Sequence, residues 1–191
     1  MNTIQLTHKD RAILLTLARQ SIKAAVAQKT PARLPPEELT DALLEMGASF
    51  VTLTIDGELR GCIGALEAYQ PLVDDVQEHA IAAALEDYRF SPVTPPEVPE
   101  LRIEISRLTP AQILVYDKPS DLPGSLHPGV DGVILKDGMR RATFLPQVWE
   151  KIPNPQDFLS ELCSKMRAPW NLWMTKKLQV FTYQVEEFHE E

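Results

Sequence analysis

Ser49-Phe50-Val51-Thr52-Leu53-Thr54-Ile55-Asp56-Gly57-Glu58-Leu59-Arg60-Gly61-Cys62-Ile63-Gly64 decides how this chain is read. Residues 49–55 are β-branched or aromatic with polar interruptions, Asp56-Gly57 is a tight-turn pair, and residues 58–64 continue as a second strand. A two-residue turn predicts Ile55 opposite Glu58, Leu53 opposite Arg60 and Val51 opposite Cys62. That register puts Arg60 and Cys62 on the same face as Val51, Leu53 and Ile55.

Working outward, Thr7 and Asp10 predict a capped helix start, and Leu14, Leu17, Ala18, Ser21, Ile22, Ala25 and Val26 recur at helical spacing. The helix ends near Lys29, before Pro31. A proline-containing connector over residues 30–36 leads to a short helix from about Glu37 to Met46, which Gly47 is placed to cap. After the hairpin, Gln70 to Asp87 reads as a helix with Pro71 in its first turn and Leu72, Val76, Ala80 and Ala83 inward. Residues 87–93 form an ordered loop, and Leu101, Ile103 and Ile105 alternate as a half-buried strand.

Between Thr109 and Pro128 the pattern assigns nothing. A second hairpin is expected over 133–145 around Asp137-Gly138, a helix opens at Asn154-Pro155 with Phe158, Leu159, Leu162 and Met166 inward, and Leu178 to Val185 is a closing strand. Two hairpins interspersed with helices, without a βαβ rhythm, predict an α+β fold.

The 191 residues suit one domain, 44% of them hydrophobic and 24% charged, an ordinary globular composition. The 27 acids against 19 bases give a net charge of −8, which opposes a phosphate backbone and argues against nucleic-acid binding. No apolar run reaches the length of a membrane span, and the N-terminal residues lack a secretory pattern, so a cytoplasmic protein without membrane partners is expected. Cys62 and Cys163, far apart in such a chain, are not expected to form a structural disulfide.

Chemistry concentrates at Leu59-Arg60-Gly61-Cys62-Ile63-Gly64. Gly61 and Gly64 give a ligand or another backbone room to approach, and Arg60 offers a positive charge that lowers a thiol pKa. Cys62 is the candidate catalytic residue; Arg60, Gly61, Gly64, Asp87 and Arg89 are candidate substrate-binding residues. The bland alternatives are a small packed cysteine, glycines at a bulge, and an Asp87–Arg89 ion pair that merely fixes the loop. His79 is the nearest candidate base, set against a boundary histidine reaching water. The four histidines are scattered and no paired-cysteine or Gly-rich phosphate motif is present, so neither a metal nor a cofactor is expected. Trp149, Trp170 and Trp173 offer a partner surface or, more simply, core packing.

Gly47-Ala48 leading into Phe50-Val51-Thr52-Leu53, the LRGCIG stretch, Ala83-Ala84 with residues 87–93, Ile103-Glu104-Ile105-Ser106 and Leu145-Pro146-Gln147-Val148 stand in an order that resembles the AMMECR domain family. The resemblance runs from about residue 8 to 188 and implies one AMMECR-type domain over 5–188. It further implies two unequal lobes around a cleft, both termini in the larger lobe, and LRGCIG near the groove. Bacterial and archaeal members are similar to component A of a three-protein set with a Memo-like protein and a radical-SAM protein, so these are the partners implied. The family often has Asn at the position of His79, which weakens a catalytic role for that residue. A departure at Lys165-Met166-Arg167-Ala168 makes the C-terminal surface less transferable. Two functions stay open: an enzyme component acting through Cys62, or a binding module that docks one of those partners.

Overall fold

Asp56 and Gly57 turn the chain with φ of 52° and 83° in the computed structural model, which describes residues 5–190. This left-handed pair is what a two-residue primed turn requires. It joins β1 (Met46–Ile55) to β2 (Glu58–Gly64) as an antiparallel hairpin. Ile55 faces Glu58 and Thr54 faces Leu59, but then Leu53 faces Gly61, Thr52 faces Cys62 and Val51 faces Ile63. Arg60 is the extra residue of a β-bulge. The unbulged register expected from sequence is therefore corrected. One inserted residue sends every later β2 side chain to the other face, so Gly61 and Ile63 take the core-side places expected of Arg60 and Cys62.

The rest of the first unit is built on this hairpin. α1 (His8–Val26) starts at a Thr7–Asp10 capping box and buries Leu14, Leu17, Ala18, Ser21 and Ile22. A 3₁₀ turn (Pro36–Glu38) and the one-turn α2 (Asp41–Leu44) replace the longer helix expected before Met46. Gly47 caps no helix; it lies in β1, where a Cβ would stand 2.7 Å from the Leu72 Cβ. β3 (Gln70–Pro71) pairs with Met46 and Gly47, and α3 (Leu72–Leu85) follows, burying Leu72, Val76, Ala80 and Ala83. β4 (Arg102–Leu108) pairs antiparallel with β1, placing Ile103 opposite Leu53 and Ile105 opposite Val51, all four at 0% exposure. These side chains and the α1 and α3 stripes form one core.

The second unit runs from Pro110 to Val185. Its sheet joins β5 (Gln112–Ile113), β6 (Gly132–Asp137), β7 (Arg140–Phe144) and β8 (Gln179–Tyr183) in the order β5-β8-β6-β7. The β6–β7 turn is Gly138-Met139, one residue later than expected, with Gly138 at φ 60°. α4 (Pro155–Lys165), capped by Asn154, buries Phe158, Leu159 and Leu162, and Trp149 stacks on Phe158 at 3.7 Å. Trp173, just after the start of α5 (Leu172–Thr175), is also buried, whereas Trp170 is exposed. The expected closing strand over 178–185 is split: β8 stays in this sheet, while β9 (Val185–His189) joins the first sheet beside β4. The first sheet thus reads β2-β1-β4-β9, with β3 against β1. Helices on antiparallel strands make the chain α+β, as expected. No helix among the described residues is long and apolar enough to cross a membrane.

Candidate functional site

The bulge settles where the Cys62 thiol points. Cys62 lies opposite Thr52, whose hydroxyl donates to Sγ at 3.3 Å, on the face turned away from α3. Gly61 points toward α3: a Cβ there would lie 2.1 Å from the Ala83 carbonyl oxygen. Gly64 is equally crowded, 2.3 Å from the Ser49 oxygen and 2.5 Å from the Phe50 ring. Of the two approaches these glycines were expected to allow, it is backbone that comes close: helix backbone fills the space at Gly61, and strand backbone with an aromatic ring fills that at Gly64. Cys62 itself is half-buried and free, while Cys163 is buried in α4, where burial pushes its thiol pKa up.

β2 is an edge strand, so the outward N–H and C=O of Cys62 need partners. Asp87 and Arg89 supply them. The Cys62 amide donates to Asp87 Oδ2 at 2.8 Å, and Arg89 Nη2 donates to the Cys62 carbonyl at 3.3 Å. Arg89 also grips Asp87 through Nη2 at 2.6 Å and Nε at 2.9 Å, with its own amide at 3.2 Å. Hydrogen bonding from Arg89 is the main reason the buried Asp87 carboxyl titrates well below the usual carboxylate range; burial opposes this and the Cys62 amide assists it. The Arg89 pKa is raised chiefly by its hydrogen bond to Asp87, against the opposing effect of desolvation. The loop is anchored where Val93 N–H meets the Ala84 carbonyl at 2.8 Å, which is how the end of α3 delivers residues 87–93 to β2.

Arg60 does not sit free beside the thiol. Its Nε and Nη2 reach Glu97 at 2.8 and 3.3 Å, and Nη1 donates to the Ser91 carbonyl at 2.8 Å. Glu97 also accepts the Thr94 amide and hydroxyl, both at 2.7 Å. Arg60 first, then Thr94, draws the Glu97 carboxyl down to about 2. Sequence reasoning missed Thr94 and Glu97, although Thr94-Pro95-Pro96-Glu97 carries the signal: a capping-box pair around prolines at the first helical positions.

His79 is not a base for Cys62. It lies on α3, on the opposite side of the sheet from the thiol, buried against Asp75 with Nδ1 3.1 Å from Oδ2. The same oxygen accepts the Ser49 hydroxyl at 2.6 Å, and the Tyr69 ring meets the imidazole edge-on. Among the described residues, no three His, Cys, Asp or Glu side chains gather as a metal would need.

The geometry at LRGCIG is carried by residues of the AMMECR-like segments, and the comparisons agree over nearly the whole chain. The AMMECR1 family profile matches residues 15–188. A protein of Methanothermobacter thermautotrophicus is 35% identical over 196 residues, covering 100% of both chains. One from Methanopyrus kandleri is 36% identical, over 98% of this chain and 91% of its own. The crystal structure of an uncharacterized protein from Pyrococcus horikoshii matches with a TM-score of 0.76 at 32% identity, covering 94% of this chain and 90% of that one. On a family match that spans most of its length, this chain belongs to the AMMECR1 family.

Proposed function

We propose that the Cys62 face of β2 is the working surface of a component in a multi-protein modification system, with the thiol meeting a small polar ligand. The observation that carries this reading is the placement of Cys62: a half-buried residue outside the α3-packed core, its Sγ hydrogen-bonded by Thr52. Arg89, with 43% of its side chain exposed, is the cation closest in role to a ligand contact. Residues 5–188 act in this reading as one AMMECR-type domain, in the cytoplasm, where a free thiol stays reduced. The net charge of −8 supports a partner other than nucleic acid.

Alkylation by iodoacetamide, read at Cys62 and Cys163 by mass spectrometry across pH, tests it. Cys62 labels in the folded protein near neutral pH and Cys163 does not. Equal resistance of both thiols until the protein unfolds would sink the reading.

A second reading, a non-catalytic module docking a Memo-like or radical-SAM partner, draws support from the thiol's hydrogen bond being to the Thr52 hydroxyl and not to a base. It requires Cys62→Ser to capture such a partner as well as the wild type does. Loss of capture in that variant counts against it.

A further inference from the structure

We infer that Asp87 and Glu97 are positioning residues: twin clamps, one on each side of Gly61, that fix the face of the sheet on which the Cys62 thiol stands. The inference deepens the reading of Cys62 given above, and it changes what its neighbours do. An ionised carboxylate has about four acceptor sites. Asp87 fills all of them, with the Arg89 amide and Nε on Oδ1 and the Cys62 amide and Arg89 Nη2 on Oδ2. Its side chain is 2% exposed, so it has neither spare lone pairs nor an opening for a ligand. Glu97 accepts four donors as well, two from Arg60 and two from Thr94. The Arg60 charge is thereby committed to Glu97.

The need for clamps follows from β2 itself. Glycine at two of its seven positions leaves a strand with weak register preference, and a slip of one residue turns each side chain to the opposite face. Removing the bulge would carry Cys62 to the α3 side, where the Cβ of residue 61 is already forbidden. Glu97 and the Ser91 carbonyl hold the bulge residue Arg60; Asp87 and Arg89 hold the peptide of Cys62. The two grips lie in one continuous segment, residues 87–97, so strand and loop are locked together.

Amide hydrogen exchange by NMR on the full chain tests the clamp, with the Ile105 amide in the centre of the sheet as reference. Asp87→Ala should speed exchange at Cys62 at least about tenfold while Ile105 changes by less than about threefold. Asp87→Asn, nearly isosteric, gives the same comparison if the alanine variant does not fold. Glu97→Gln should alter the pH profile of Cys62 alkylation and leave Cys163 untouched. Exchange at Cys62 within about twofold of wild type, or Ile105 rising in step with it, overturns the inference. If wild-type Cys62 resists alkylation but Asp87→Ala still frees its amide, the thiol reading falls and the clamp stands.

Discussion

Replacing Gly61 by alanine probes the register on which the whole site depends. The added Cβ would lie 2.1 Å from the Ala83 carbonyl oxygen, 1.3 Å short of an ordinary 3.4 Å contact. The obstacle is helix backbone and has no rotamer to change. Either α3 withdraws by about that distance or β2 bows. Both loosen Val76, Ala80 and Ala83, none more than 1% exposed. Overpacking of this kind costs about 1–3 kcal/mol, and a backbone obstacle puts Gly61→Ala at the top of that range. Gly124→Ala is the control, because a Cβ there meets nothing within 4 Å and its φ is not positive; its stability should stay within about 0.5 kcal/mol of wild type. Urea denaturation followed by far-UV circular dichroism, at constant m, gives both values. In an unbulged hairpin residue 61 would face away from α3 and tolerate a methyl group. A Gly61→Ala loss below about 0.5 kcal/mol would therefore refute the bulge and, with it, the placement of the thiol.

Acid should unlock the clamps before it unfolds the cores. Glu97 titrates at about 2 folded against 4.5 in a free chain, and Asp87 is lowered too, so both bind protons more weakly when folded. Their contribution is complete above about pH 4.5 and drains as pH falls toward 2; urea midpoints should drop over that window, less steeply in Glu97→Gln, and parallel curves would contradict this. In the second unit, Trp149→Ala removes a buried ring stacked on Phe158 and the Nε1 bond to the Asp131 carbonyl at 2.7 Å. It should cost about 3–5 kcal/mol by the same urea assay, and a loss under about 1 kcal/mol would show that the stack is not a core contact.

Elements with a local cause were legible in the sequence. The Thr7–Asp10 box, the Asp56-Gly57 turn and the Asn154-Pro155 start each specify their own backbone, and each is found. A bulge was one reading of the glycines, but its position was not legible, because Arg60 leaves the ladder on account of partners distant in sequence, Glu97 and Ser91. Gly61 held the only local hint: glycine in a strand marks close approach, here to Ala83. The alternation of 178–185 showed a strand without showing that the chain would change sheets at Gln184, since period-two patterning carries no information about the partner. At the site, Cys62, Asp87 and Arg89 were named from residue types and do come together, with Arg60 held next to them. The Asp87–Arg89 pair was among the readings of the sequence, whereas the Arg60–Glu97 pair was not, because its members lie 37 residues apart.

β4 acquires its second neighbour late. β9 is encoded after the entire 110–185 segment, so a chain emerging from the ribosome has β1 against one side of β4 and nothing of its own for the other. Arg19 is in place early, donating to the carbonyls of Val98 and Leu101 at 2.6 Å each, and later receives the Glu190 carboxylate, which also accepts the Ile103 amide at 3.2 Å. During synthesis that guanidinium and the bare β4 edge form a half-built socket. Translation at about 5–20 residues per second takes roughly 4 to 15 seconds to supply β9, and for that interval β4 carries the liability of any unpaired edge, a row of backbone groups open to pairing with another strand.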